Sequence, residues 1–336
     1  MSSVSFSVIV PTFRRPETLR ATLAALAAQN YPKTGYEVIV VDDDASSATP
    51  DVVAEALATG CHLTLVAQNQ EGAARARNQG ARRAAGDLLL FLDDDILVEP
   101  DHLRRHWLVR ASHRDPIVGG CWDFTPAVLA ALRSTPFGRY RLALERSFQA
   151  GTGGRALDDG RLQVEMLPST DLAIRRELFW QLGGFDERFP VAGAEDQDFS
   201  IRARLSGCLL ILDRGIRCFH NDNRLTLRSY CEREERSAKT MPILARNYPA
   251  QFRESAYIRE NRPPRRDEPP PLIAKKLVKA ALSRPRPLEG IHRLTTLAER
   301  MGLPERLLRR LYSLLLGLHL FRGFRSTWYA ANRRSN

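Results

Sequence analysis

No run of apolar residues in this chain approaches the roughly 18 that a bilayer-spanning helix needs. The stretch up to Val10 has no basic leader and only a short apolar run, so it does not read as a secretory signal, and a cytoplasmic protein is expected. There is no C-x-x-C pair, and the five cysteines (Cys61, Cys121, Cys208, Cys218, Cys231) are odd in number. A disulfide framework or a zinc cage is not expected; reduced thiols, buried or idle, are. The turn after the first apolar run, PTFRRPET (Pro11–Thr18), contains no glycine. That argues against a G-x-G-x-x-G dinucleotide site. It equally argues against the glycine-rich triphosphate loop a nucleotidyltransferase would need there.

What is present is an ordinary globular composition: 336 residues, 43% hydrophobic and 26% charged, enough for one large core or two smaller ones. The net charge of +11 is unevenly placed. Residues 1–261 hold 33 Lys and Arg against 34 Asp and Glu, whereas residues 262–336 hold 17 against 5. The basic character belongs to the C-terminal segment and implies an anionic partner for it: membrane lipid, nucleic acid or a protein.

Short β-branched runs alternate with helical patterns. Phe6–Val10, Glu37–Val41, His62–Val66, Leu88–Leu92 and Ile117–Cys121 read as strands. Glu17–Gln29, Pro50–Ala58, Ala73–Ala85 and Pro100–Ser112 read as helices between them. This order predicts an α/β fold, a mostly parallel Rossmann-like sheet with flanking helices. Further on, Ala127–Ala150 reads as largely helical, Gly151–Gly160 as a loop, Val164–Leu167 and Leu209–Leu212 as short strands, and Arg176–Leu182, Asp196–Leu205 and Leu225–Asn247 as helices. The expected organisation is a main domain over 1–250, in halves 1–122 and 123–250. A Pro-rich linker over 251–271 and a basic helical tail over 272–336 follow.

Two apolar strands each end in three acids: EVIVVDDD at Asp42, Asp43 and Asp44, and LLLFLDDD at Asp93, Asp94 and Asp95. Ligands of open parallel sheets bind at the carboxyl ends of strands. Crowded carboxylates repel one another, and a divalent cation offsets that repulsion. Mg²⁺ or Mn²⁺ suits one or two carboxylates together with substrate phosphate oxygens. Acid-rich turns solvated by water are the alternative for either triplet alone.

Taken in order, these signals resemble the inverting glycosyltransferases of family 2, which have the GT-A fold, over roughly residues 5–222. VIVPTFRR (Val8–Arg15) matches that family's first nucleotide-binding segment, so Pro11, Thr12 and Phe13 would border the base. The resemblance implies that Asp43 accepts from a uracil N–H. It brings Arg77, in GAARARNQGARRAAGD (Gly72–Asp87), toward the diphosphate, unless that arginine is only a solvated helix charge. Asp93–Asp95 matches the D-x-D motif, with Asp95 as metal ligand and Asp93 and Asp94 serving ribose, metal or both. TDLAIRRELFWQLGGFDERFPVAGAEDQDFSIRAR (Thr170–Arg204) resembles the acceptor-side block. Thr170, Asp171 and Glu195 would then lie by the acceptor, although the family usually has Asn where Asp171 stands. Asp196 would be the catalytic base or, on the bland reading, only a helix cap. His220 would be a further metal ligand or a hydrogen-bonded structural histidine. Trp122 could stack on a sugar or be plain core.

The resemblance implies a metal-dependent hexosyltransferase-type enzyme using Mn²⁺ or Mg²⁺. It would move a sugar from a nucleotide diphosphate donor, a UDP-sugar by the Asp43 match, to a hydroxyl on a carbohydrate, lipid-linked or small-molecule acceptor. The alternative is a non-catalytic relative acting as a binding or scaffold subunit. In the tail, Leu307, Leu308, Leu311, Leu314, Leu315, Leu318 and Phe321 follow helical spacing among Arg306, Arg309, Arg310, Arg322 and Arg325. Such a helix could lie on an anionic membrane as a peripheral anchor, pack on the protein, or form a homo-oligomer. Nucleic acid is not an expected partner.

Overall fold

The computed structural model describes residues 5–44, 48–58, 60, 62–151, 153–222, 224–252 and 254–333. Cys61 lies outside them. The strands are β1 (Phe6–Thr12), β2 (Tyr36–Asp42), β3 (Leu63–Ala67), β4 (Leu88–Leu92), β5 (Ile96–Val98), β6 (Ile117–Phe124), β7 (Arg155–Ala156), β8 (Leu162–Gln163), β9 (Asp171–Arg175) and β10 (Leu210–His220). They form one sheet in the order β3-β2-β1-β4-β9-β6-β10-β8-β7, with β5 paired to β10. β1 to β4 pair in parallel, β9 is antiparallel to both β4 and β6, and β6 is parallel to β10. β9 thus runs against its neighbours in the middle of the sheet, and β5 and β8 run antiparallel to β10. The carboxyl ends of β1, β2, β4, β6 and β10 therefore share one edge with the amino end of β9.

Central strands that read as unbroken apolar runs fit a sheet covered on both faces. All five residues of β4 are buried. Alternate side chains go to opposite layers. Val8, Val10, Val38, Val40, Leu88 and Leu90 pack with Leu19 and Leu23 of α1 (Pro16–Ala27), Val52 of α2 (Thr49–Leu57) and Leu103 of the helix His102–Ser112. Ile9, Ile39, Val41, Leu89 and Phe91 pack on the other side with Ala74 and Ala81 of α3 (Ala73–Arg83) and with Phe179 and Phe199. The helix His102–Ser112 is α4, and α5 (Pro126–Ser134) and α6 (Pro136–Gly151) follow it. Phe179 lies on α7 (Arg176–Gln181) and Phe199 on α8 (Glu195–Leu205).

The chain divides into two compact units. The first is Met1–Pro126, Gln149–Pro190 and Glu195–Asp222; the second is Ala127–Phe148, Val191–Ala194 and Asn223–Asn336. This differs from the expected split at 250, because α6 and α9 (Leu227–Ala238) belong with the C-terminal helices. Phe137 and Tyr140 of α6 and Tyr230 of α9 pack with Tyr312 of the last helix, Glu305–Arg333. The expected single helix over Leu225–Asn247 is broken into α9 and α10 (Met241–Asn247), with Pro242 in the first turn of α10. After α11 (Pro249–Phe252) and α12 (Ala256–Asn261) come α13 (Pro270–Leu282), α14 (Pro285–Arg300) and α15 (Glu305–Arg333).

The segment expected as a linker is packed rather than extended. Glu268 takes Lys276 Nζ at 2.6 Å and Arg262 Nε at 3.3 Å, all three side chains being buried. A buried carboxylate compensated by two cations anchors the proline-rich chain. In α15, Leu308, Leu315, Leu318 and Phe321 are buried, so its apolar face is the core of this unit. No helix among the described residues is long and apolar enough to cross a membrane.

Candidate active site

The three acids that follow β4 stand at the shared strand-end edge. Asp93 is half-buried, and Asp94 and Asp95 are buried. Charge so concentrated needs positive charge beside it. Arg15, which precedes α1, supplies some: Nη1 donates to Asp94 Oδ1 at 2.7 Å and Nη2 to Asp95 Oδ2 at 2.5 Å. Thr12 Oγ1 donates to Asp94 Oδ2 at 2.7 Å. His220, the last residue of β10, places Nε2 3.1 Å from Asp95 Oδ2. Its ring meets Trp122 edge-on at 5.4 Å and lies parallel to Phe124 at 6.1 Å. Sequence reasoning missed Arg15; its only signal was an arginine pair directly after the first strand.

Burial opposes ionisation of Asp95, but His220 and Arg15 outweigh it and hold the carboxyl below the usual carboxylate range. Burial pushes Asp94 up to about 7; Arg15 works against the rise, and the neighbouring Asp95 adds to it. Asp95 and His220 offer a carboxylate oxygen and an imidazole nitrogen, donor types that suit a divalent cation, and they contact each other directly. Ligand atoms about 2.1 Å from a metal stand about 3 Å apart, as Asp95 Oδ2 and His220 Nε2 do. The Arg15 guanidinium marks where cationic charge is already accommodated.

Glu195 and Asp196 open α8. Arg77, expected near the diphosphate or as a solvated helix charge, is buried and joins two carboxylates. It donates Nη2 to Asp93 at 2.7 Å and Nη1 to Glu195 at 3.0 Å. The reason is local: a buried guanidinium needs anionic partners, and both acids face it. Glu195, expected by the acceptor, is itself buried. Arg77 links the acidic turn to the Glu-Asp pair. Asp196 is half-buried, and one carboxylate oxygen accepts from Gln197 N–H at 2.8 Å. Desolvation, with the Glu195 carboxylate adding to it, pushes Asp196 up to about 7, against the pull of Arg77. Thr170 Oγ1 donates to Asp93 Oδ2 at 3.1 Å, and its carbonyl accepts from Asp93 N–H at 3.2 Å.

Asp171, expected at the acceptor, is buried. Its Oδ1 meets His102 Nε2 at 3.1 Å and His106 Nε2 at 2.9 Å, two histidines one turn apart on α4. The carboxyl lies below its usual range, since the two histidines outweigh the effect of burial, and burial lowers His106. His102 Nδ1, His106 Nδ1 and Asp171 Oδ2 have no hydrogen-bond partner among the described residues. The three side chains bring ligand atoms within 4.8 Å of one another and could hold a metal ion. The missing partners on both Nδ1 atoms are unlike a finished metal site, whose histidines donate their second N–H. The i, i+4 spacing of His102 and His106 was the signal in the sequence. Gly120 makes room for this cluster: a Cβ there would stand 2.3 Å from Asp171 Oδ2 and 2.7 Å from Ile216. Gly120→Ala is expected to cost about 1–3 kcal/mol by overpacking, read as a lower urea midpoint. An unchanged midpoint would show that the cluster yields freely.

On the other side of the edge, Asp43 accepts at Oδ1 from Gln68 Nε2 at 2.9 Å and Glu71 N–H at 2.7 Å, and at Oδ2 from Gly72 N–H at 3.0 Å. It therefore fixes the turn entering α3. Gly72 has φ +90° there, with Pro190 O 2.8 Å from where a Cβ would be. Phe13 is 42% exposed beside half-buried Pro11, with Arg14 over its ring at 5.0 Å. Trp122 is half-buried and packs on the core as well as on His220. The site thus brings together Thr12, Asp93, Asp94, Asp95, Trp122, Thr170 and His220, and connects Asp93 through Arg77 to Glu195, the neighbour of Asp196.

The sheet and its acidic edge agree with the relationships of the chain. The Glycosyl transferase family 2 model matches residues 7–183, more than half of the sequence, and the chain belongs to that family. Among curated relatives, validoxylamine A glucosyltransferase of Streptomyces hygroscopicus subsp. limoneus is 28% identical over 235 residues, 62% of this chain and 49% of that protein. The probable glycosyltransferase YdaM of Bacillus subtilis is 29% identical over 201 residues, 58% of this chain and 46% of that one. The chain thus spans about half the length of these relatives. Among solved structures, the mannosyltransferase PcManGT of Pyrobaculum calidifontis, in complex with GDP-Man and Mn²⁺, superposes with a TM-score of 0.58 at 21% identity, covering 94% of this chain and 86% of that one. TarS of S. aureus in complex with UDP-GlcNAc gives 0.52 at 19% identity, covering 98% and 92%. These structural likenesses establish the GT-A fold.

Proposed function

We propose that this protein transfers a sugar from a nucleotide diphosphate donor, a UDP-sugar, to an acceptor hydroxyl with inversion at the anomeric carbon. The observation that carries this reading is the convergence of Asp93–Asp95 and His220 at one strand-end edge, tied through Arg77 to the Glu195–Asp196 pair. Asp95 and His220 would hold a Mn²⁺ or Mg²⁺ ion. Such an ion, when bound, neutralises charge developing on the diphosphate leaving group. Phe13 offers an exposed aromatic face to a base, with Pro11 and Thr12 beside it. Asp43 still has lone pairs free for a base N–H, since three donors occupy fewer than its four sites. Asp93, held by Arg77 and Thr170, would receive ribose hydroxyls. Trp122 gives the acceptor sugar a ring to lie on.

Asp196 takes the proton from the attacking hydroxyl. Its raised pKa of about 7 makes it a stronger base than an ordinary aspartate. Because only the ionised form can accept the proton, kcat/KM should rise about tenfold per pH unit below pH 7 and level off above it. A rate independent of pH from about 5.5 to 8.5 would remove Asp196 from this role. The proposal as a whole is tested by a thermal-shift and donor-hydrolysis screen of UDP-, GDP- and TDP-sugars with Mn²⁺ and Mg²⁺. Metal-dependent stabilisation by a UDP-sugar with slow release of UDP is expected; no response to any donor would reduce the chain to a scaffold.

A further inference from the structure

The C-terminal unit spends the apolar face of α15 on its own core but leaves a different apolar surface uncovered. On α13, Pro271, Ala274, Leu277, Val278 and Ala281 recur at three- and four-residue steps, and all are exposed. They are one face of that helix. Leu277 and Val278 are 59% and 57% accessible. The opposite face, with Lys276, is the buried one. On α14, Pro287, Gly290, Leu294 and Leu297, with the cap residue Met301, form a second exposed stripe at the same spacing. Its inward face carries Leu288, His292, Thr295 and Ala298. A solvent-facing helix side normally holds the polar residues. Here two consecutive helices do the reverse.

The charge beside these stripes is mainly positive, with Glu260 pairing Lys275 at 2.8 Å and Glu289 pairing Arg293 at 3.3 Å. Arg286, Arg293 and Arg300 stand at seven-residue steps, each one position before a residue of the α14 stripe, and all three are exposed. Exposed Lys275 and Arg284 lie on and after α13. Residues 270–301 hold seven Lys and Arg against two acids, Glu289 and Glu299. Glu289 already receives Arg228 and Arg293, and Glu299 receives the Tyr312 hydroxyl. Both acids are thus already engaged within the chain.

We infer that the exposed α13–α14 face docks on an anionic lipid surface. Leu277, Val278, Leu294, Leu297 and Met301 would enter the headgroup boundary, while Arg286, Arg293, Arg300, Lys275 and Arg284 meet lipid phosphates. An amphipathic surface of this kind lies in the interface plane, held by apolar burial together with attraction to anionic headgroups. A second copy of the chain is disfavoured by charge: a two-fold contact sets the same mainly positive surface against itself, arginine facing arginine. The inference does not depend on the sugar-transfer reading and places the membrane contact on α13 and α14, not on the buried face of α15.

The test is co-flotation of the full chain with vesicles of phosphatidylcholine alone or with added phosphatidylglycerol. Binding to the phosphatidylglycerol vesicles, weakened by salt, is expected, with little binding to phosphatidylcholine. Leu277→Asp with Leu294→Asp and Leu297→Asp should lower the partition coefficient at least about tenfold with the melting temperature unchanged, because these side chains are exposed. Arg286→Ser with Arg300→Ser gives an independent reading and should weaken the dependence on phosphatidylglycerol. The inference is overturned if the wild-type protein floats with neither vesicle or if the variants float as well as it does. It is equally overturned if the substitutions instead abolish a concentration-dependent dimer, which would make this face a contact between copies.

Discussion

Asp196→Asn is expected to lower kcat about 10³-fold while the affinity for nucleotide-sugar donor stays within about twofold, the loss lying within the usual range for a general base. The amide keeps the size and the Gln197 N–H contact of the carboxylate but cannot accept a proton at neutral pH. Donor binding is expected to survive because Asp93, Asp94, Asp95 and His220 are untouched. The side chain also lies in the first turn of α8, where an acid is favourable to the helix dipole. A pure capping role predicts a different signature: a melting shift of about 1 kcal/mol with kcat nearly unchanged. Measuring kcat, donor Kd and melting temperature on one preparation separates the two. Full turnover in the Asn variant would dismiss Asp196 as the base.

Asp95→Ala is expected to remove metal-dependent donor binding, so that Mn²⁺ no longer raises UDP-sugar affinity in calorimetry. Asp95 is the acid on which the site converges. His220 and Arg15 both contact it, and together they hold it ionised despite burial. Removing it takes a carboxylate partner from both His220 and Arg15, while Arg15 keeps Asp94. Folding should be retained, since Arg15 and Thr12 still hold the turn through Asp94. Unchanged Mn²⁺ dependence in the folded variant would move the ion to other ligands, and the buried His102–His106–Asp171 set is the next candidate.

Much of the first unit was legible in the sequence because its strands are buried on both faces and read as uniform apolar runs. Each of β1, β2 and β4 stands out for that reason, and the acids after β2 and β4 mark the ligand-bearing edge without further information. β9 was not legible. DLAIR is short, charged at both ends and set directly against the RELFWQ helix, so neither period develops. The length of β10 was hidden as well: its register shifts between Asp213 and Arg217, and exposed Arg214 and Arg217 interrupt the apolar pattern. Among the site residues, the D-x-D acids, His220 and Asp196 could be located by spacing and resemblance. The partners of Asp171, Arg77 and Asp94 could not, since contacts over 65, 118 and 79 positions leave no local trace. The same holds for the tail, where periodicity revealed the leucines of α15 but not that another helix in the same unit would cover them.

The location of the metal tests the account most directly. Crystals grown with UDP and Mn²⁺, measured for anomalous scattering, should show a manganese peak within bonding distance of Asp95 and His220, with UDP extending from it toward Phe13. A peak confined to His102, His106 and Asp171, or UDP bound away from Asp93–Asp95, would contradict it.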